Sequence, residues 1–452
     1  MQKKRQAAIV VDAYSTGAML APAFIAHGVQ CVHVRSSEQL RPALLATARI
    51  GNFEHEIIYT DDRALRELLS HCEVQWVLAG CEEGVELAAH LAELFQVPRR
   101  NAARDWMLWR NKHAMHEALQ RAGVRSIRHF KSADAGEICR WAESTGVGYP
   151  VVLKPIDSAG SDNVHICENA AHVARAVDAV LGSRNALLQH NTVVLAQEYL
   201  RNSELQLEGS LARPEARPAS VDVEYCVNTV SCEGRHHVSE IIKVYRKRVA
   251  DAPVHDYNEL QCPVQDAWVY EVLGGYIGQV LDALGIRNGV AHSELMVVDN
   301  QPVLLETAAR LPGGIDLSAY TRALGTNQLA LWVESCLDPA AFAARLQQAR
   351  TPLRCHSSCV FLISDREGPV SGQADLSAWL ALPSFHSLKL RDSGRLERTN
   401  ALFNAPGQVF LLSPDRGQIA RDRAFLRETE AKVYAALLHG AAQGTTTGVA
   451  AG

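Results

Sequence analysis

The stretch Gly289–Gly314 constrains this chain most. Two apolar, β-branched runs flank the turn signal Asp299-Asn300-Gln301-Pro302, so the segment reads as a β-hairpin. Pairing the arms symmetrically about Asn300 sets Glu294 opposite Glu306. Alternation then puts His292, Glu294, Glu306 and Arg310 on one face. Leu295, Val297, Val303 and Leu305 take the other, the core side. Carboxylates directly opposite one another lie about 5 Å apart at Cβ and repel. A divalent cation removes that penalty, and Mg²⁺ is typically held by one or two carboxylates plus nucleotide phosphates. A hairpin whose charged face is merely solvated is the competing reading, and the rest of the chain weighs between them.

A chain of 452 residues exceeds one hydrophobic core, so about three domains are expected. Its net charge of −5 gives no electrostatic case for nucleic acid. The 11 cysteines are odd in number and scattered, the usage of a reduced cytosolic protein. Cys355-His356 with Cys359 is the one tight Cys/His group. Lacking a second pair, it reads as buried thiols on a strand rather than a zinc site. The basic start Met1–Gln6 is followed by an apolar run of only Ala7–Val11, too short for a signal sequence, and no membrane-length apolar span follows. The expectation is a cytoplasmic globular protein with neither nucleic acid nor membrane as partner.

Taken in order, Ala7–Val11 is a buried strand, Asp12–Gly17 a polar turn, the next residues to His27 a helix, and Val29–Val34 a second strand. That is the opening of a doubly wound α/β unit, without the G-x-G-x-x-G fingerprint. Val74–Ala79 is a further strand, ending in Gly80-Cys-Glu-Glu-Gly-Val85 and a helix through Phe95. Such strand ends face the ligand crevice, although Glu82 and Glu83 also suit a helix N-terminus on dipole grounds. Arg104–Gly123 reads as one helix containing Arg110-Asn-Lys112. Val151–Pro155 is a buried-type strand that sets Lys154 against the loop Asp157-Ser-Ala-Gly-Ser-Asp-Asn163. Small residues let backbone N–H groups close on phosphate oxygens while the lysine supplies a point charge. Val193–Ala196 leads into Gln197-Glu-Tyr-Leu200 and then Glu204. A carboxylate at an apolar strand edge can read an adenine amino group, and a second can bind ribose; two surface glutamates are the plainer alternative.

Ser203–Gly209, Val221–Val230 and Val238–Tyr245 read as strands, with a loop at Leu211–Ala219. Asp266–Leu284 and Asp316–Leu337 read as helices. Pro352–Leu412 is an all-β lobe by spacing, Asp422–Leu438 a last helix, and Gly440–Gly452 a disordered tail.

Lys112, Lys154 with its loop, Glu198-Tyr-Leu200, Glu294 and Glu306-x-x-x-Arg310, in that order, resemble the ATP-grasp superfamily of carboxylate–amine ligases. The likeness spans residues 5 to 435 or so. A closer resemblance, to bacterial L-amino-acid ligases that join two amino acids into a dipeptide, rests on four motifs. These are Val11-Asp-Ala-Tyr-Ser-Thr-Gly17, Gly80-x-Glu-x-Gly-Val85, Ala291-His-Ser-Glu294 and Glu306-Thr-Ala-Ala-Arg-Leu-Pro-Gly-Gly314. It implies an α/β ATP-grasp fold with a Rossmann-like domain at 1–100, a linker helix and lid at 101–200, and a larger antiparallel subdomain with the metal site at 201–335. A C-terminal β-rich lobe at 350–438 precedes the tail at 439–452.

The resemblance also implies ATP and Mg²⁺, or Mn²⁺, as cofactors. Lys112 and Lys154 would hold phosphates under a loop containing Ser158, Gly160 and Ser161. Glu198 and the Leu200 backbone would take adenine, and Glu204 ribose. Glu294 and Glu306 would ligate the metal. Lys154 and Arg310 would be catalytic, with Arg310 stabilising an acyl phosphate. His292, Glu82, Glu83, Gly313 and Gly314 would line the substrate side together with Arg310. Many ATP-grasp enzymes have Asn two residues after the second metal carboxylate; this chain has Ala308, where a water would have to serve.

The implied reaction couples two L-amino acids at the expense of ATP, giving dipeptide, ADP and phosphate. A ligase for bicarbonate or another non-amino carboxylate, in the biotin-carboxylase manner, is the alternative, and a non-catalytic ATP binder has Ala308 alone in its favour. Glu83, if shielded from water, would favour a basic substrate side chain; otherwise it caps the helix starting near Gly84. The implied partners are amino-acid substrates, and a homodimer is compatible with the sequence.

Overall fold

The computed structural model describes residues 4–49, 51–201, 222–249, 252–391 and 393–438. Glu204, the strand expected at 203–209, the loop at 211–219 and the tail from 439 lie outside them. Within the described residues β1 (Arg5–Val11), β2 (Gln30–Arg35), β3 (His55–Ile58) and β4 (Cys72–Ala79) form a parallel sheet in the order β3-β2-β1-β4. Residues Ala7–Val11 are fully buried, which is why β1 is a continuous apolar run: a central parallel strand is covered on both faces. Helices α1 (Leu20–Ile25), α2 (Pro42–Leu45), α3 (Asp62–Leu68) and α4 (Val85–Leu94) lie between and after these strands. The strand order reverses between β1 and β4, so the turns after both strands open on one crevice. Glycine lets those turns meet. A Cβ on Gly17 would lie 2.0 Å from the Gly80 carbonyl oxygen, and one on Gly80 would lie 2.3 Å from that of Asp12.

The helix expected over Arg104–Gly123 is two elements. A 3₁₀ turn at Ala103–Trp109 ends at Arg110, and α5 (Lys112–Arg121) starts afresh, capped by the Asn111 side chain accepting the Ala114 N–H at 3.0 Å. The break makes Lys112 the first residue of α5. Next come β5 (His129–Ser132), α6 (Ala135–Ser144), β6 (Val151–Pro155), β7 (His165–Cys167), α7 (Ala170–Val180) and β8 (Val194–Glu198). Their antiparallel sheet runs β5-β8-β6-β7. Ile138 and Ala142 of α6 and Val173 and Val177 of α7 pack on Leu153 and Ala196, covering one face. Register places Lys154 beside Leu195, and Val152 and His129 beside Gln197, on the opposite face.

The described strands β9 (Asp222–Cys232), β10 (Arg235–Val249) and β11 (Ala252–Leu260) precede α8 (Ala267–Ala283) and the hairpin β12 (Gly289–Val298) and β13 (Gln301–Ala308). Glu294 pairs with Glu306, as the symmetric register required. The register then slips: Leu295 faces Leu304, so Leu304 is buried and Leu305, expected in the core, stays half-exposed. The helix expected over Asp316–Leu337 is also two, α9 (Leu317–Leu324) and α10 (Gln328–Leu337). Gly325 at φ 83° ends the first and Asn327 caps the second. The helix α11 (Pro339–Arg345) follows.

The chain divides into two compact units, the first comprising Met1–Ala216, Asp222–Lys243 and Leu260–Leu353. In this unit the larger sheet runs β13-β12-β9-β10. A core containing Val10, Phe24, Val230, Val290 and Trp332 joins the N-terminal sheet to it through α10. The second unit holds residues 217–221, 244–259 and 354–452. Its strands are β14 (His356–Phe361), β15 (Gly368–Pro369), β16 (Phe385–Leu390), β17 (Arg395–Leu396) and β18 (Gly407–Ser413), the larger sheet running β11-β14-β18-β16. The lobe read as all-β also holds α12 (Ser377–Leu380), and the last helix, α13 (Arg416–Leu438), starts before the expected Asp422. Among the described residues no disulfide forms, and no helix is long and apolar enough to cross a membrane.

Candidate active site

Five charged side chains of the first unit come together at the hairpin. Lys112 is buried, its N–H held by the Ile156 carbonyl at 2.9 Å, and its ammonium bridges the Ser158 carbonyl and the Glu306 carboxylate. The ammonium of Lys154 is buried too. Its own desolvation and the neighbouring Lys112 pull its pKa down to about 8, while Glu306, Glu294 and Glu224 act the other way. The loop after β6 is shaped from within: Asp162 accepts the Ser158 hydroxyl at 2.7 Å and the Ala186 N–H at 2.7 Å. Gly160 and Ser161 turn it through left-handed φ values of 66° and 61°.

Glu198 closes β8, at the strand end where the sequence puts it, and is held there by a neighbouring arginine. Its carboxylate accepts the Arg128 N–H at 2.9 Å and Arg128 Nε at 2.7 Å, across the β5–β8 pair. Glu204 lies outside the described residues.

At the crevice end of the parallel sheet, Arg310 Nε donates to Glu82 at 2.7 Å and Arg310 Nη1 to the Leu311 carbonyl at 3.0 Å. Arg110 approaches the same Glu82 carboxylate at 3.6 Å. These two arginines hold the Glu82 pKa below the usual carboxylate value despite its burial. Two guanidinium groups on one carboxylate leave this corner net positive, suited to an anion. A Cβ on Gly313 would lie 3.6 Å from Ser15 Oγ, and Gly314 takes φ 70°, so the loop after Arg310 closes on the turn after β1. The carboxyl of Asp12 braces that turn by accepting the Ser36 N–H at 2.9 Å. Burial pushes the Asp12 pKa up to about 6.

Glu83 does not cap the following helix: α4 begins at Val85 with Gly84 as its N-cap and no side-chain cap, and Glu83 pairs with Arg41 at 2.9 Å. Arg41 holds Oε1, while Oε2 is buried without a hydrogen-bond partner among the described residues.

His292 is oriented by a relay. Burial pushes the Glu240 pKa up to about 7, and Glu240 accepts Asn228 Nδ2 at 3.1 Å. Asn228 Oδ1 therefore faces His292 Nδ1 at 2.7 Å, and His292 Nε2 meets Glu294 Oε1 at 3.3 Å. Asn228, Glu224 and Glu240 were missed in the sequence. The signal for two of them was present, for Glu224 and Asn228 interrupt an apolar strand at even spacing, and β9 pairs with β12.

No family model matches the chain. A dapdiamide A synthase of Enterobacter agglomerans is 28% identical over 442 residues, which are 95% of this chain and 97% of that protein. Among solved structures, an L-amino acid ligase from Bacillus licheniformis aligns with a TM-score of 0.69 and 15% identity over 95% of this chain and 98% of its own. A carboxyaminoimidazole ribonucleotide synthase from Aspergillus clavatus, complexed with ATP, aligns with a TM-score of 0.64 and 15% identity over 96% and 100%. The chain has the fold of the ATP-grasp carboxylate–amine ligases and is similar in sequence to a synthase over nearly its whole length. Within this ATP-grasp fold, Ala308 is buried directly opposite His292 on the paired strand.

Proposed function

We propose that the protein joins the carboxylate of one L-amino acid to the amine of another, consuming ATP and releasing dipeptide, ADP and phosphate. The observation that carries this reading is the gathering of Lys112, Lys154, Glu294 and Glu306 in one cluster of the first unit. The net-positive corner at Arg310, Arg110 and Glu82 lies in the same unit. Two opposed carboxylates are the hard donor set that Mg²⁺ takes, and two lysines suit a polyphosphate. Bound at Glu294 and Glu306, the metal would neutralise charge on the phosphates.

A free carboxylate is a poor electrophile, since amine attack would have to expel oxide. Lys112 and Lys154 would hold the phosphate chain so that a carboxylate oxygen can attack the γ-phosphorus, breaking the bond to ADP. Arg310, fixed by Glu82, would balance charge on the resulting acyl phosphate. The second substrate's amine then attacks the carbonyl carbon, phosphate leaves, and the amine gives up a proton. The loop Ser158–Asn163 would keep water from that anhydride. The dapdiamide synthase and L-amino acid ligase relatives support an amine-joining reaction. The cytoplasm, where thiols stay reduced, is the proposed compartment.

The test is phosphate release with Mg-ATP across the common amino acids, singly and in pairs. Release that needs two amino acids, with a new amide detected by mass spectrometry, is expected. Release with bicarbonate and no amino acid would move the protein to the other carboxylates. Glu306→Gln should lower turnover by about 10²–10³-fold, the scale of removing one group that stabilises transition-state charge.

A further inference from the structure

Away from the hairpin, α5 and β5 bring three metal-binding side chains together. His113 and Glu117 are four residues apart and so share one face of α5, and His129 begins β5. One donor atom from each lies within 4.8 Å of the other two. The His113 and His129 rings stand 5.0 Å apart at nearly right angles.

The polar atoms here are poorly served by the protein alone. His129 Nδ1 faces the Ile127 carbonyl oxygen at 3.0 Å and Gln120 Nε2 only at 3.5 Å, so the shorter contact puts the proton on Nδ1 and leaves Nε2 its lone pair. That lone pair lies 3.4 Å from Glu117 Oε1, another acceptor, outside hydrogen-bond geometry. The His129 side chain is only 1% exposed, so water reaches it poorly. His113 Nδ1 is likewise buried, with no hydrogen-bond partner among the described residues. A second proton on His129 would ease the first conflict and leave His113 unanswered. A divalent cation satisfies all three donors at once.

We propose that His113, Glu117 and His129 form a second metal site, separate from the Glu294–Glu306 pair, that takes Zn²⁺ with water as fourth ligand. Two imidazoles and one carboxylate are a borderline donor set that suits Zn²⁺ and not Mg²⁺. Tetrahedral Zn²⁺ with bonds of about 2.0–2.1 Å keeps its donors about 3.3 Å apart, so side-chain rotations close the site. The Ile127 carbonyl fixes the His129 tautomer, the usual outer partner of a ligating histidine. The exposed Lys131, two residues along β5, acts against positive charge on His113, and Glu117 acts for it. The ion would pin the edge strand β5 to α5 one residue from Lys112, fixing the helix that presents that lysine.

Co²⁺ is the probe, added to the full-length chain in excess Mg²⁺ so that the hairpin carboxylates are occupied. One equivalent should bind with the visible d–d bands of a tetrahedral nitrogen and oxygen site and without thiolate-to-cobalt charge transfer. The same equivalent of Zn²⁺ should displace it and raise the melting temperature. His113→Ala and His129→Ala should each lose the bands and the rise in melting temperature that Zn²⁺ gives, each variant being compared with its own metal-free form. Glu117→Gln should weaken binding by about 10-fold or more. No stoichiometric binding, bands with thiolate character, or bands kept in both histidine variants would overturn the site. Should either histidine variant fail to fold, Glu117→Gln, at a half-exposed position of α5, decides alone, and unchanged binding there overturns it equally.

Discussion

At the scale of single residues, the Lys154 ammonium stands under the influence of three carboxylates, Glu306, Glu294 and Glu224. Lys154, brought down to about 8, loses its proton more readily folded than unfolded. Between about pH 8 and 10.5 the unfolded chain holds more protons, so this group makes stability rise with pH there. A polyphosphate brought against Lys154 favours its charged form. Nucleotide binding at pH 8 should therefore take up a fraction of a proton, measured by calorimetry in buffers of different ionisation enthalpy, and almost none at pH 6.5. Lys154→Arg, which cannot deprotonate, should abolish the difference, and uptake unchanged in that variant would remove Lys154 from the phosphate site. Glu83 makes the opposite case, of a carboxylate with one oxygen already held by an arginine. Because Arg41 holds it, Glu83→Ser should cost about 1 kcal/mol for a partly exposed pair and leave the amino-acid profile alone. A selective rise in KM for basic substrates, with no loss of melting temperature, would return Glu83 to the substrate pocket. Its partner was illegible in the sequence because Arg41 belongs to no motif and lies 42 positions away.

Among elements, what could be read depended on whether register followed from local pattern. The β12–β13 pairing was legible because a short turn and period-2 alternation fix which residues oppose, and Glu294 does face Glu306. The slip just beyond them was not, since an apolar strand accommodates one bulged leucine as well as another. The restart of the helix at Lys112 was hidden for a similar reason. Arg110-Asn111 is tolerable inside a helix, and only the Asn111 cap and the Ile156 contact end one element and begin the next. The turns after β1 and β4 are the more constrained pair. Gly80→Ala should push the Asp12 backbone away, since its Cβ would sit 2.3 Å from that carbonyl oxygen. A loss of about 1–3 kcal/mol is expected from denaturant titration, with KM for the amino acids raised more than KM for ATP. Equal effects on both would mean that these turns do not border the amino-acid pocket.

Over the whole molecule, the order of weak motifs carried more than any one of them. Lys112, Lys154, Glu294 and Glu306 are far apart in sequence and meet at one place, which composition and net charge could not have revealed. Their arrangement bears on which phosphorus of ATP is attacked. Lysines and a carboxylate-held metal would neutralise the outer phosphates; an acid attacking the γ-phosphorus would leave ADP, whereas attack at the α-phosphorus would leave AMP and pyrophosphate. In the first route one oxygen of the substrate carboxylate bonds to the γ-phosphorus and departs with it when the amine forms the amide. An amino acid labelled with ¹⁸O in its carboxylate should therefore yield phosphate carrying one labelled oxygen, together with ADP, when its partner amino acid is present. Chromatography of the spent nucleotide and mass spectrometry of the phosphate read both outcomes. AMP as the main product would sink the mechanism outright. ADP with unlabelled phosphate would mean that water, not the amino acid, receives the phosphoryl group.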